Sequence, residues 1–289
     1  GGGGNGGCDI GVSCRAVPAA AAGPRAVVAG MLVSAQSLAA NPARDDRIAL
    51  RGSGETLTYA ELRALAARIA TAAAPWAADT SLPAKTTLPV TPQSVSRSGV
   101  TGTLVSDTNR EFVTPASSET EGVEGAPFVA LVGDWTPRFV ATFVGLASAG
   151  WAVGVLDPGA SPSEHLAALA QLDPRVVVVD AMCGDLVSTC VRDGWRRIDG
   201  IDPDWIVLTC GDAHGEVPPL VTPEGPFYVG FTSGSSGRPK AFVRSHRSWW
   251  ESFQRFNDVC PIRTPGTVLV PGPLSSSHFL FGALHGLHI

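Results

Sequence analysis

The sequence lacks the marks of several common protein classes. Its six cysteines, Cys8, Cys14, Cys183, Cys190, Cys210 and Cys260, form no C-x-x-C pair and no metal-ligand spacing. They read as reduced thiols of a cytosolic protein, most of them acting as small core hydrophobes. No stretch resembles a secretory h-region, and no apolar run reaches the roughly 18 residues of a membrane span. Lys and Arg are scattered and the formal net charge is -5, so no basic face exists to neutralise a phosphate backbone. Nucleic acid is therefore not an expected partner.

What is present suits a folded chain: 289 residues, 44% of them hydrophobic, enough for one sizeable core or two smaller ones. Two segments are expected to stay outside it. Residues 1–30 form a Gly- and Ala-rich leader without a sustained period, expected to be disordered. Met31 opens the first helical stretch, to Ala40, and is a candidate true start. Residues 81–126, dominated by Ser, Thr, Pro and Gly, carry neither a strand nor a helix period and are expected to be a disordered insertion.

The ordered remainder falls into residues 31–80 and 127–289. Short β-like segments surround Ile48-Ala49-Leu50 and Thr56-Leu57. Leu62, Leu65, Ala66 and Ile69 then fall at i, i+3, i+4 and i+7, the stripe of an amphipathic helix over residues 59–74, with Thr58 and Glu61 as its capping box. From residue 128 the pattern predicts strands at 128–132, 152–156, 176–179, 205–208 and 227–231, with helices at 137–149 and 162–171. Val-rich runs such as Val176-Val177-Val178-Val179 suit strands buried on both faces. The expected fold class is α/β, a mainly parallel sheet flanked by helices.

The strand at 227–231 feeds Thr232-Ser-Gly-Ser-Ser-Gly-Arg-Pro-Lys240. Gly234 and Gly237 permit positive φ and close approach of the backbone to a ligand, so that successive N–H groups converge on an anion. Thr232, Ser233, Ser235 and Ser236 add hydroxyl donors and Lys240 a point charge. This donor set suits a polyphosphate. A plain Ser/Gly surface turn is the bland alternative. A Walker P-loop is excluded, because Pro239 precedes the lysine and Ala241 follows it where a magnesium-binding hydroxyl should stand.

Those nine residues resemble, position by position, the AMP-binding signature of the adenylate-forming superfamily, which includes acyl-CoA synthetases and the adenylation domains of nonribosomal peptide synthetases. Leu57-Thr-Tyr-Ala-Glu-Leu62 resembles the family's first core motif, Leu146-Ala-Ser-Ala-Gly-Trp-Ala-Val-Gly-Val-Leu-Asp-Pro158 its second, and Pro273 to Gly282 stands where the substrate-pocket motif follows. The resemblance implies the N-terminal part of the family's large domain, with residues 127–289 truncated at the C-terminus: the family's Thr-Glu motif, ribose-binding Asp, hinge and C-terminal lysine have no counterpart. It implies ATP with Mg2+, a small carboxylic acid as substrate, and a thiol acceptor, coenzyme A or alternatively a carrier protein. An inactive fragment is the reading from another class. Thr232, Ser233, Gly234, Ser235, Ser236, Gly237 and Lys240 are then the expected nucleotide-binding residues.

For the acid, the informative stretch is Pro271-Gly-Pro-Leu-Ser-Ser-Ser-His-Phe-Leu-Phe-Gly282. No acidic residue occurs between Thr264 and Ile289, whereas a bound α-amino acid needs a counter-charge for its ammonium. His278 resembles the family's acyl-pocket residue, and with Phe279 it is the expected substrate-binding pair; a simple helix-start histidine is the alternative. His278, His285 and His288 lack a carboxylate companion, and no metal site is assigned to them. Trp249 and Phe253 read as core, and Ser248 with Glu251 as the cap of their helix.

Overall fold

The computed structural model describes residues 10–14, 33, 44–77, 127–198, 201–210, 221–232, 240–260, 262 and 266–289. The 81–126 insertion, most of the 1–30 leader and nearly all of the helix expected from Met31 lie outside them. One part of the leader departs from expectation: Ile10–Cys14 is a strand, β1. A five-residue strand shows no helical period, and its pairing partners lie far along the chain, so nothing local announces it.

The first continuous stretch is a hairpin of β2 (Ile48–Gly52) and β3 (Glu55–Thr58). Ser53 and Gly54 turn it with φ of 51° and 77°, the doubly positive pattern that matches strand twist. Helix α1 (Tyr59–Ala77) follows. Its start is the expected capping box: the Thr58 N–H donates to Glu61 Oε2 at 2.8 Å and the Glu61 N–H to Thr58 Oγ1 at 3.2 Å. The stripe Leu62, Leu65, Ala66 and Ile69 is buried.

After the insertion the chain lays down β4 (Phe128–Val132), α2 (Pro137–Ser148), β5 (Ala152–Leu156), α3 (Pro162–Leu172), β6 (Val176–Asp180), α4 (Gly184–Arg192), β7 (Arg196–Ile198) and β8 (Trp205–Thr209). Then come β9 (Pro226–Thr232), β10 (Lys240–Ser245), α5 (His246–Val259), β11 (Gly266–Val270) and α6 (Ser277–His288). Local chemistry fixes the helix ends. Thr136 caps α2 through the Phe139 N–H with Pro137 next, and Gly150 at φ 89° ends its run. In α3, Ser161 and Glu164 form a second capping box.

These strands build two sheets, one in the order β11-β1-β2-β3 and a seven-stranded one in the order β10-β9-β5-β4-β6-β8-β7. The parallel part is the centre, β9-β5-β4-β6. Both margins are antiparallel, β10 on β9, and β8 on β6 and β7. The expected α/β fold is present as a mixed sheet. Its central strands are buried on both faces: Val129, Leu131, Val153, Val155, Val176 and Val178 pack with α1, α2 and α5, while Ala130, Val132, Ala152, Leu156, Val177 and Val179 pack with α3 and α4. Cys190 is buried and Cys183 half-buried, whereas Cys210 and Cys260 are exposed, so these last two do not serve as the core hydrophobes expected of most of the six.

Helices α1 and α2 touch at Gly145, where an added Cβ would lie 2.7 Å from the Ala66 carbonyl oxygen and 2.8 Å from Ile69 Cβ. Trp151 Nε1 donates to the Ala73 carbonyl at 3.1 Å and ties α1 to the start of β5. Gly145→Val is expected to cost about 1–3 kcal/mol by overpacking this contact. Gly184→Ala, at a helix start with open space around it, is expected to leave the urea midpoint unchanged or raise it. Equal midpoints for wild type and Gly145→Val would show that the two helices do not depend on this approach.

Candidate active site

Strand β9 runs parallel to β5, so Thr232 stands at the carboxyl end of the parallel strands, the edge at which open α/β sheets bind ligands. Its ladder with β10 pairs Thr232 with Lys240, Gly230 with Phe242 and Tyr228 with Arg244. Ser233, Gly234, Ser235, Ser236 and Gly237 lie outside the described residues. The ladder places the two ends of their loop directly opposite one another. The Ala241 N–H donates to Gln171 Oε1 at 3.0 Å and anchors the returning strand to α3.

Beyond the loop, β10, α5 and α6 enclose a cleft of about 180 Å³ lined by Phe242, Arg244, Trp249, Ser252, Ser277, His278 and Phe281. Its walls are aromatic: Trp249 meets Phe281 at 5.7 Å and Tyr228 at 5.1 Å between ring centroids. Gly230 leaves room for them, since a Cβ there would lie 2.7 Å from the Tyr228 hydroxyl and collide with the Phe242 ring. Tyr228 is fully buried and its hydroxyl has no hydrogen-bond partner among the described residues. Burial raises its pKa, so it remains a neutral donor.

Arg244 is the cation of this cleft. Its Nε donates to Ser248 Oγ at 3.0 Å, and its Nη2 to the Ser248 carbonyl at 3.2 Å and Ser252 Oγ at 3.3 Å. Burial lowers its pKa, yet a guanidinium stays charged. Among the described residues no carboxylate pairs with it and its Nη1 donates to none. The Ser248 hydroxyl thus serves the arginine, and α5 is capped instead by Ser245, whose Oγ accepts from the Ser248 N–H at 3.2 Å. This corrects the cap expected at Ser248: two serines three residues apart offer equivalent signals, and only the start of the helix decides between them.

The expected substrate-binding pair is divided. His278 is exposed at the start of α6, near Ser276 Oγ at 3.2 Å, and lines the cleft. Phe279 turns away and packs over Gly272, where any Cβ would collide with its ring, because successive helix positions point about 100° apart. Sequence reading passed over Arg244, Phe242 and Tyr228. The signal was available in the alternation of Phe242 and Arg244 along a strand opposite Gly230 and Tyr228.

A sequence profile of the AMP-binding enzymes matches residues 119–284. The chain belongs to the AMP-binding enzyme family. It is 39% identical over 155 residues to an uncharacterized acyl-CoA ligase, YhfT of Bacillus subtilis, covering 52% of this chain and 30% of that protein. It is 37% identical over 120 residues to the nonribosomal peptide synthetase fmqA of Aspergillus fumigatus, covering 40% of this chain and 3% of that one. The chain thus spans less than a third of the length of these curated relatives. Among solved structures, the amide bond synthetase McbA of Marinactinospora thermotolerans superposes with a TM-score of 0.56 at 18% identity, covering 89% of this chain and 43% of that one. The N-terminal domain of FACL13 of Mycobacterium tuberculosis superposes at 0.51 and 18%, covering 82% and 49%. The shared fold is that of adenylate-forming enzyme domains.

In this family member three further histidines are packed in apolar surroundings. His246 lies against Phe227; His285 is stacked on Phe281, with its Nε2 2.8 Å from Asn257 Oδ1; His288 lies between Trp250 and Phe253. No group of three or more His, Cys, Asp or Glu converges among the described residues, and no described helix is long and apolar enough to cross a membrane. Burial pushes each of these three imidazoles down to about 4. Their folded values lie below the unfolded one, so the contribution is whole above about pH 6.5 and is lost as pH falls toward about 4. Urea midpoints are expected to fall steeply over that window. His285→Gln should flatten the decline by on the order of 1–3 kcal/mol at its acid end. An unchanged slope in the variant would mean that His285 protonates as readily folded as unfolded.

Proposed function

We propose that this AMP-binding enzyme uses ATP to activate a non-amino carboxylic acid and passes the acyl group to a thiol, as an acyl-CoA synthetase with coenzyme A as acceptor. The observation that carries the reading is the cleft: aromatic walls, a cationic arginine and no carboxylate among its lining residues. An α-amino acid would bring its ammonium toward like charge with nothing to neutralise it. The acyl-CoA ligase relative supports the choice of acceptor. The peptide-synthetase relative supports a second reading, in which the acceptor is the thiol of a carrier protein.

In this reading a carboxylate oxygen bonds to the α-phosphorus of ATP while the bond to the pyrophosphate leaving group breaks. The difficulty is an anion approaching a polyanion, so the work of the chain is neutralisation and positioning. Backbone N–H groups and hydroxyls of Thr232, Ser233, Gly234, Ser235, Ser236 and Gly237 hold the β- and γ-phosphates, with Lys240 adding charge. The described residues offer no converging ligand set for Mg2+, which enters here only as the ion that ATP carries.

Exchange of labelled pyrophosphate into ATP tests the reading. Aliphatic acids are expected to drive exchange and α-amino acids are not. Exchange driven by an amino acid overturns the substrate class, and silence with every acid favours a fragment that does no chemistry alone. Lys240→Ala is expected to slow adenylation by about 10- to 150-fold, the loss of one charge-assisted contact. Gly237→Val should do more damage, since a β-branched residue resists positive φ. Capture of a pre-formed acyl adenylate by the thiol should be nearly unaffected in both; equal damage to the two half-reactions would remove the phosphate role from the loop.

A further inference from the structure

Arg244 is built into the protein in a way that neither fold stability nor phosphate binding accounts for. A partly buried guanidinium without a counter-charge is costly, and Arg244 has none among the described residues; hydroxyl and carbonyl partners satisfy its Nε and Nη2 without neutralising it. Its Nη1 donates to no described residue, and the side chain lines the cleft. The companions it has there that carry hydrogen-bonding groups are Trp249, Ser252, Ser277 and His278, none of them anionic. In ring contact with Phe242 is fully buried Tyr228, the ladder partner of Arg244, whose hydroxyl has no partner among the described residues.

Position along the strand separates this cation from the phosphate end. Lys240 begins β10 and Arg244 follows four residues on, about 13 Å away at roughly 3.3 Å per residue. A carboxylate at the α-phosphorus, close to the loop, is too far off to be the group that Arg244 meets. Volume bounds what the cleft beside Arg244 can hold: its roughly 180 Å³ is only slightly larger than the cavity of about 150 Å³ that holds a benzene ring.

Resting on the activation reading above, we infer that the acid substrate is a compact dicarboxylic acid of about six carbons, whose far carboxylate pairs with Arg244 while the near one is activated. A carboxylate accepts from a guanidinium with charge assistance, and the aromatic walls take the methylene chain between the two ends.

The test is binding of adipate and of hexanoate to the full chain in the presence of ATP, by calorimetry, beside pyrophosphate exchange with each acid. Adipate is expected to bind about 10- to 150-fold more tightly than hexanoate. Arg244→Met should abolish that preference. Arg244→Lys should retain part of it, which separates loss of charge from loss of fold, and thermal melting checks both variants. Equal affinity for the two acids, a preference that survives in Arg244→Met, or no binding of either acid overturns the inference. Exchange with hexanoate and none with adipate also overturns it but leaves the activation reading standing. Arg244-dependent binding of adipate with no exchange supports the site and removes the activation reading.

Discussion

The structure depends on four strands that are buried on both faces. In β9, β5, β4 and β6 successive residues feed two different apolar layers, so each strand must be covered on both sides before it is stable. That requirement dictates the placement of α1, α2 and α5 on one face and α3 and α4 on the other. It also fixes direction. Once β5, β4 and β9 run parallel, their carboxyl ends share one edge, and the Thr232 end of β9 has nowhere else to emerge. The site follows from the layer requirement, because the loop and the ladder that returns from it are extensions of a strand the core already holds.

Elements whose own residues carry the whole signal were legible in the sequence. Helix α1 has a capping box at one end and a complete apolar stripe, and both are physical instructions that need no partner. The Val-rich β6 and the Pro-started, Gly-ended α2 are of the same kind. Elements defined by distant partners were not legible. β1 and β11 stabilise one another across most of the chain; β7 is three residues long and largely exposed; α4 begins at Cys183 without a side-chain cap. The antiparallel direction of β8 follows from the short β7 that precedes it, and no residue of β8 encodes it.

At the loop, the sequence signal is the joint occurrence of glycines, hydroxyls and a lysine in one short run, of which residues 233–239 lie outside the described ones. The cleft was only partly legible. His278, named through its motif, lines it, whereas Arg244, on the strand that follows the loop, was passed over. It acquires its surroundings from Ser248 and Ser252 on the next helix, and those contacts exist only after β10 and α5 have packed. Phe279 stands beside a cleft residue in the chain, and the 100° step of the helix carries it to a different neighbour, Gly272.

The anchoring of Arg244 also bears on entropy. Two of the three guanidinium nitrogens are tied to α5 and its first turns, so the torsions of this long side chain are already restricted in the folded protein. A free surface arginine must give up that freedom when it grips a ligand, at about 0.5–1.5 kcal/mol for such a side chain. Here folding has removed most of it in advance. The remaining nitrogen, Nη1, is held at a fixed point on the cleft wall instead of sweeping the volume that a free arginine samples.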